Sequence, residues 1–348
     1  MTGRDLDTVR DGIGAWLRHR HPDRHVVVTG AETPAATGYS NDVVFVSVAF
    51  DDGSAARREL VLRLPPDGPT LFPRYDLAMQ VAVQEAVRAA GVPVPGGLVV
   101  ETEARWLGLP FLVMDRVVGR VPGELAALDP WITGLAPEQQ RTVHEGFLDA
   151  LARVHGTPWP ETDLARRLPG AGRTLADDIE AEIELAAWAF EGSPPAPLTE
   201  ALAWCRDRRP DPEPPRTVLW GDARLGNVVF GDDLVPRALL DWEMAAIGPA
   251  ESDLAWYTAL DEIGTHFVGQ TVPGFLGRDE VVARHEQALG RTLVAFRWFE
   301  LLAMLRSSTL NLRRALLAAR RRDRAPRPPT DDAVLRYTLD AIAAADTP

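Results

Sequence analysis

The most constraining stretch of this 348-residue chain is Val218-Leu219-Trp220-Gly221-Asp222-Ala223-Arg224-Leu225-Gly226-Asn227-Val228-Val229-Phe230, followed shortly by Ala238-Leu239-Leu240-Asp241-Trp242-Glu243. Asp222 and Asn227, five residues apart, frame a short loop, and Val228 to Phe230 leads out of it as an apolar strand. Gly231-Asp232-Asp233 reads as a hairpin turn, with residues 237–240 as the returning strand. A hairpin of this kind brings Asn227 and Asp241 side by side at a strand mouth. One amide and one carboxylate suit Mg²⁺, which takes few protein oxygens and completes its shell with water and phosphate oxygens. Asp222 is placed to accept the proton of a hydroxyl nucleophile.

The spacing matches the catalytic loop of protein kinases, where an Asp precedes an Asn by five and a second Asp follows on the next strand. More closely, the segment resembles the aminoglycoside phosphotransferase and choline-kinase-like superfamily, whose signature is His-Gly-Asp, four residues, Asn, then an Asp-Trp-Glu or similar. Trp220 stands at the His position. The resemblance continues through Ile247-Gly248-Pro249 and Ser252-Asp253-Leu254-Ala255-Trp256, where it implies that Asp253 accepts backbone hydrogen bonds from the catalytic loop.

Length and 46% hydrophobic content allow a sizeable core and two lobes. No run of eighteen apolar residues is present, and the opening residues lack a signal-peptide core, so a cytoplasmic chain without a membrane span is expected. The single cysteine, Cys205, excludes an intramolecular disulfide and any cysteine-cluster metal site, and reads as a packed helix residue. The formal charge of −13 argues against nucleic acid as the main partner and is compatible with a cationic substrate. All 37 basic residues are arginine, so any phosphate-clamping role usual for lysine falls to arginine.

Apolar spacing predicts a helix over 7–18, a strand from Val26, strands over 43–50 and 59–64, a helix over 75–90, and strands over 98–101 and 110–114. Helices are then expected over 137–155, 177–190, 253–262, 278–289, 296–320 and 331–345. No internal repeat or long low-complexity segment is found.

The resemblance implies an α+β, bilobal protein-kinase-like fold: a small mixed β-sheet lobe over 1–115 and a larger helical catalytic and substrate lobe over 116–348. It places Ser40 and Asn41, in the loop Gly38-Tyr39-Ser40-Asn41, over the nucleotide phosphates. Arg63 takes the third-strand position of a phosphate-facing base. The helical Glu that orients that base in the family falls on Gln80, with Glu85 as a displaced candidate. Backbone groups around Val113, Met114 and Asp115 would hold adenine, and His155 is read as a core hydrogen-bonding residue. ATP or GTP would be the donor, with Mg²⁺ on Asn227 and Asp241.

The expected activity is γ-phosphoryl transfer to a hydroxyl of a small molecule, with Asp222 as base or orienting group. The acidic helix from Asp177 and the pair Asp261-Glu262 suggest an aminoglycoside-like polycation, whereas Trp188, Phe190, Tyr257 and Phe267 equally suit a macrolide or an acyl chain. Either antibiotic would make the protein a resistance enzyme. A hydroxyacyl metabolite and a non-catalytic, nucleotide-binding pseudokinase are the alternatives. A dinucleotide-binding oxidoreductase is excluded, because no strand is followed by Gly-x-Gly-x-x-Gly opening a helix.

Overall fold

The computed structural model describes residues 5–34, 41–51, 57–66, 68–321 and 332–345. Ser40, with Gly38 and Tyr39, lies outside the described residues. Internal contacts divide the chain into two units, Met1–Val81 with Pro95–Val118, and Ala82–Val94 with Gly119–Pro348.

The first unit opens with α1 (Leu6–Arg20), followed by β1 (His25–Glu32), β2 (Asp42–Asp51) and β3 (Arg57–Leu64). Helix α2 (Leu77–Ala89) is shared between the units, and β4 (Val99–Glu101) and β5 (Phe111–Asp115) complete the sheet. The strand order is β1-β2-β3-β5-β4. Among the described residues every pairing is antiparallel, where a mixed sheet was expected. Period-two alternation on β2 turns Val44, Val46, Val48 and Phe50 inward, and Val9, Ile13, Trp16 and Leu17 of α1 join them in one core. Trp16 packs edge-on against Phe111 at 5.4 Å and satisfies its indole N–H on Glu101 Oε2 at 2.8 Å.

In the second unit the helices are α3 (Pro130–Thr133), α4 (Pro137–His155), α5 (Leu164–Arg167), α6 (Leu175–Ala189) and α7 (Ala196–Asp207). Two short hairpin-like pairs follow from β6 (Arg216–Leu219), β7 (Val228–Phe230), β8 (Pro236–Leu239) and β9 (Ala246–Pro249): β6 with β9, and β7 with β8. The chain then runs through α8 (Ala250–Val268), α9 (Arg278–Leu289), α10 (Phe296–Arg321) and α11 (Ala333–Ala345). Helix α7 buries Cys205, as the reading of a packed helix residue expected, though no bounds were given for that helix; α8 continues six residues past its expected end.

Arginine forks hold these helices together. Glu251, with a fully buried side chain, accepts from Arg291 at 2.6 and 2.9 Å, and buried Glu300 accepts from Arg278 at 2.8 Å through two nitrogens. Planar guanidinium matches a carboxylate in both geometry and charge, which suits a chain whose basic residues are all arginine.

Candidate active site

Strand β6 delivers Trp220-Gly221-Asp222 to a tight turn. Gly221 has φ +88, and a Cβ there would meet the Met244 carbonyl oxygen at 2.1 Å, so the turn admits no larger residue. Its backbone is gripped from the first turns of α8: Asp253 Oδ2 accepts the Trp220 amide at 2.6 Å and Asp253 Oδ1 accepts the Gly221 amide at 2.8 Å. His155, at the end of α4, sets its Nε2 3.2 Å from Asp253 Oδ2, and its Nδ1 2.8 Å from Nε2 of His285 on α9. A carboxylate accepts only, so His155 donates at Nε2, while the direction of the His155–His285 bond follows the tautomers of the two rings.

Asn227 donates through Nδ2 to the Asp222 carbonyl at 3.0 Å and to Asp222 Oδ2 at 2.7 Å. Strands β7 and β8 pair Val228 with Leu239, and the Leu240 amide donates to the Asn227 carbonyl at 2.8 Å, which carries Asp241 alongside Asn227. Asp241 adopts φ +63, a left-handed conformation that Asp tolerates better than most residues.

Two partners of this loop, Arg224 and Trp256, were given no role in the sequence reading, and a third, Trp220, was noted only as standing at the His position. Arg224 Nε donates to Asp222 Oδ2 at 3.0 Å, while its Nη1 lies 3.8 Å from Glu124 Oε1. Trp256 Nε1 donates to Asp222 Oδ1 at 2.9 Å. Trp220 Nε1 donates to the Leu240 carbonyl at 2.8 Å. The visible signals were a lone charge two residues past Asp222 and a Trp three past Asp253 on one helix face. Burial pushes the Asp222 carboxyl above its ordinary value, against the pull of Arg224; Asp241 adds to the rise, and the bonds from Trp256 and Asn227 oppose it.

The donor set fits a magnesium ion. Both observed Asn227 N–H contacts go to Asp222, so its amide oxygen is the atom that could ligate an ion, and Asp241 could add a carboxylate. Among the described residues no group of three His, Cys, Asp or Glu side chains could hold a metal, so a protein-caged transition metal does not suit this site. Two protein oxygens match an ion that keeps water and phosphate ligands.

The nucleotide-side candidates lie in the first unit, except Glu85, whose part of α2 belongs to the second. Asn41 and Arg63 are buried, with Arg63 on β3 opposite Val43 and Leu112. Gln80 is fully buried on α2 and Glu85 is exposed, so the amide occupies the inward position of that helix. Val113 and Met114 are buried side chains in β5. The Asp115 amide donates to the Gly96 carbonyl at 2.8 Å and the Arg116 amide to the Glu59 carbonyl at 2.8 Å. Within β5 this parity turns the backbone of odd-numbered residues away from β3.

A small antiparallel sheet unit, a helical unit, and a loop joining Asp222, Asn227 and Asp241 define a protein-kinase-like phosphotransferase. The chain belongs to the phosphotransferase enzyme family, whose profile it matches over residues 32–282. A Ralstonia eutropha protein provisionally classed as an aminoglycoside phosphotransferase superposes with a TM-score of 0.67 at 16% identity, covering 96% of this chain and 98% of that one. A thermostable mutant of aminoglycoside phosphotransferase APH(4)-Ia, in ternary complex with ADP and hygromycin B, superposes at 0.57 with 15% identity over 97% and 99% of the chains. These likenesses establish the fold. Human acyl-CoA dehydrogenase family member 11 is 27% identical over 259 residues, 72% of this chain and 31% of that protein. The chain spans about a third of the length of the curated relatives it matches. Among the described residues, no helix is long and apolar enough to cross a membrane.

Proposed function

We propose that the protein transfers the γ-phosphoryl group of ATP or GTP to a hydroxyl of a small molecule, with a hydroxyacyl metabolite as the favoured acceptor class. The observation that carries the transfer is the Asp222 carboxylate bonded to Asn227 at 2.7 Å, with Asp241 brought alongside by the Leu240–Asn227 backbone bond. Asp222 orients the acceptor hydroxyl and takes its proton; Asn227 and Asp241 hold Mg²⁺. When bound, the ion neutralises charge on the phosphates. The first unit is the nucleotide lobe, where Ser40, Asn41 and Arg63 would steady the phosphates. Adenine would be held at the β5 edge by backbone groups near Val113, Met114 and Asp115. Solved relatives carry ADP or GDP, which supports a nucleotide donor.

The choice of acceptor rests on where the acidic residues go. Asp177 caps its own helix through Thr174, Asp178 is forked by Arg216 at 2.8 and 3.0 Å, and Glu182 is held by Arg306 at 2.7 Å. Glu262 is forked by Arg297 at 2.6 and 3.2 Å and accepts from Tyr337 at 2.9 Å. Of these acidic candidates, Glu184 and Asp261 alone have neither ion pair nor hydrogen bond among the described residues. Two carboxylates are a poor counter-charge for a polycation. The acyl-CoA dehydrogenase relatives point the same way by their name.

The test combines thermal stability in ATP or GTP, with and without Mg²⁺, and nucleoside-diphosphate release over aminoglycosides, macrolides and hydroxyacyl thioesters. Hydroxyacyl-dependent release supports the reading. Release with aminoglycosides alone overturns the acceptor class, and no nucleotide binding overturns the kinase.

A further inference from the structure

A carboxylate offers about four lone-pair positions. At Asp222 three are taken: Oδ2 accepts from Asn227 Nδ2 at 2.7 Å and Arg224 Nε at 3.0 Å, and Oδ1 accepts from Trp256 Nε1 at 2.9 Å. One position remains, on Oδ1, and the side chain keeps 13% exposure. We propose that the acceptor hydroxyl binds and gives up its proton at Oδ1 of Asp222, and that Trp256 is the positioning residue that fixes which oxygen is presented. This rests on the phosphotransferase reading of the site.

Trp256 follows Asp253 by three residues, so both point from one side of the same helical turn. Asp253 holds the Trp220 and Gly221 amides, and Trp256 holds the side chain of the next residue. The loop's backbone and its reactive carboxylate are therefore set from a single rigid element. Asn227 and Trp256 bond opposite oxygens, so rotating the carboxylate breaks both bonds, and the oxygen facing the acceptor stays fixed. Indole N–H is a donor with no accepting nitrogen. Trp256 can orient Oδ1 without competing for the proton, which His, Tyr or Ser in the same place could do.

In the transfer, the acceptor oxygen forms its bond to the γ-phosphorus as the bond from that phosphorus to the β,γ-bridging oxygen breaks. The acceptor proton passes to Oδ1 and leaves to solvent after product release. The products are a phosphate ester, a nucleoside diphosphate and one proton.

The test is Trp256→Phe, which keeps an aromatic ring and removes the N–H. Turnover should fall roughly 10- to 100-fold, the size expected for one lost hydrogen bond to a charged group, with nucleotide KM unchanged. In an Asp222→Asn background the same change should cost little, because the bond acts through that carboxylate. With ¹⁵N-labelled indoles, the signal missing from Trp256→Phe should move in Asp222→Asn. Wild-type turnover by Trp256→Phe, an equal loss in both backgrounds, or an indole signal indifferent to Asp222→Asn would overturn this role alone. A wild-type protein inert on every acceptor would remove the site reading, and this role with it.

Discussion

The indole N–H of Trp220 lies 2.8 Å from the carbonyl oxygen of Leu240, the residue before Asp241. Family resemblance puts His at this position, and Trp here was a reason to consider a degenerate site. The contact removes that reason. Trp220 donates its backbone amide to Asp253 and its indole N–H to Leu240, and packs its ring 5.8 Å from Trp242 and 6.4 Å from Phe147. It ties the loop that carries Asp222 to the strand end that carries Asp241.

Trp220→Phe should retain most of the packing and leave the Leu240 carbonyl without its indole partner. A loss of about 1–3 kcal/mol is expected, measured by urea unfolding, together with a weaker Mg²⁺-dependent nucleotide stabilisation. An unchanged urea midpoint would show that the bond contributes nothing.

Asp222→Asn should lower turnover by about 10²–10⁴-fold while nucleotide affinity stays within a factor of a few. Steady-state rates and a nucleotide titration on the same preparation check this. Near-normal turnover would rule out Asp222 as base.

Asp241→Ala should abolish the difference between nucleotide melting curves taken with Mg²⁺ and with EDTA, since one of two protein oxygens is lost. A Mg²⁺-dependent shift of wild-type size would place the ion elsewhere.

Acid should destabilise the protein through two buried histidines. His144 accepts the Leu276 amide on Nδ1 at 2.9 Å and faces the Tyr257 hydroxyl at 2.7 Å; His285 lies against His155 at 2.8 Å. Burial lowers each to about 3 from an unperturbed 6.5. Because the unfolded chain binds these protons more tightly, the stability they contribute is complete above about pH 6.5 and lost progressively as pH falls towards 3. At pH 5 the loss is roughly 2 kcal/mol per histidine. Urea midpoints at pH 7.5 and 5 give the comparison, and a flat profile would contradict it.

Glu182→Ala should cost about 1–3 kcal/mol by stranding Arg306, which is a third exposed and can partly resolvate. If the acid were a substrate contact instead, stability would hold and acceptor KM would rise.

The catalytic hairpin was legible because its signals are local. Apolar residues on either side of Gly231-Asp232-Asp233 specify two strands, and Asp222, Asn227 and Asp241 stand at their ends. Helices α4 and α9 were readable to the residue, since amphipathic spacing and a following glycine mark both ends. Of helix α7 only Cys205 was read as a packed helix residue, because the register of Leu198, Ala201 and Leu202 sits behind three prolines in residues 194–197 that obscure its start. The acidic helix α6 looked like a substrate surface because its arginine partners, Arg216 and Arg306, are 38 and 124 residues away.

The sequence by itself determined the class of chemistry: an acid, an amide and a second acid at spacings set by one loop and one hairpin, where chain connectivity alone keeps the groups close. Only the tertiary structure decided what surrounds them. Trp256 reaches Asp222 across 34 residues, and His285 reaches His155 across 130. Contacts of that range depend on how α8 and α9 pack against the loop. Periodicity shows that a helix has a buried face; packing alone shows which side chain on that face meets the reactive carboxylate.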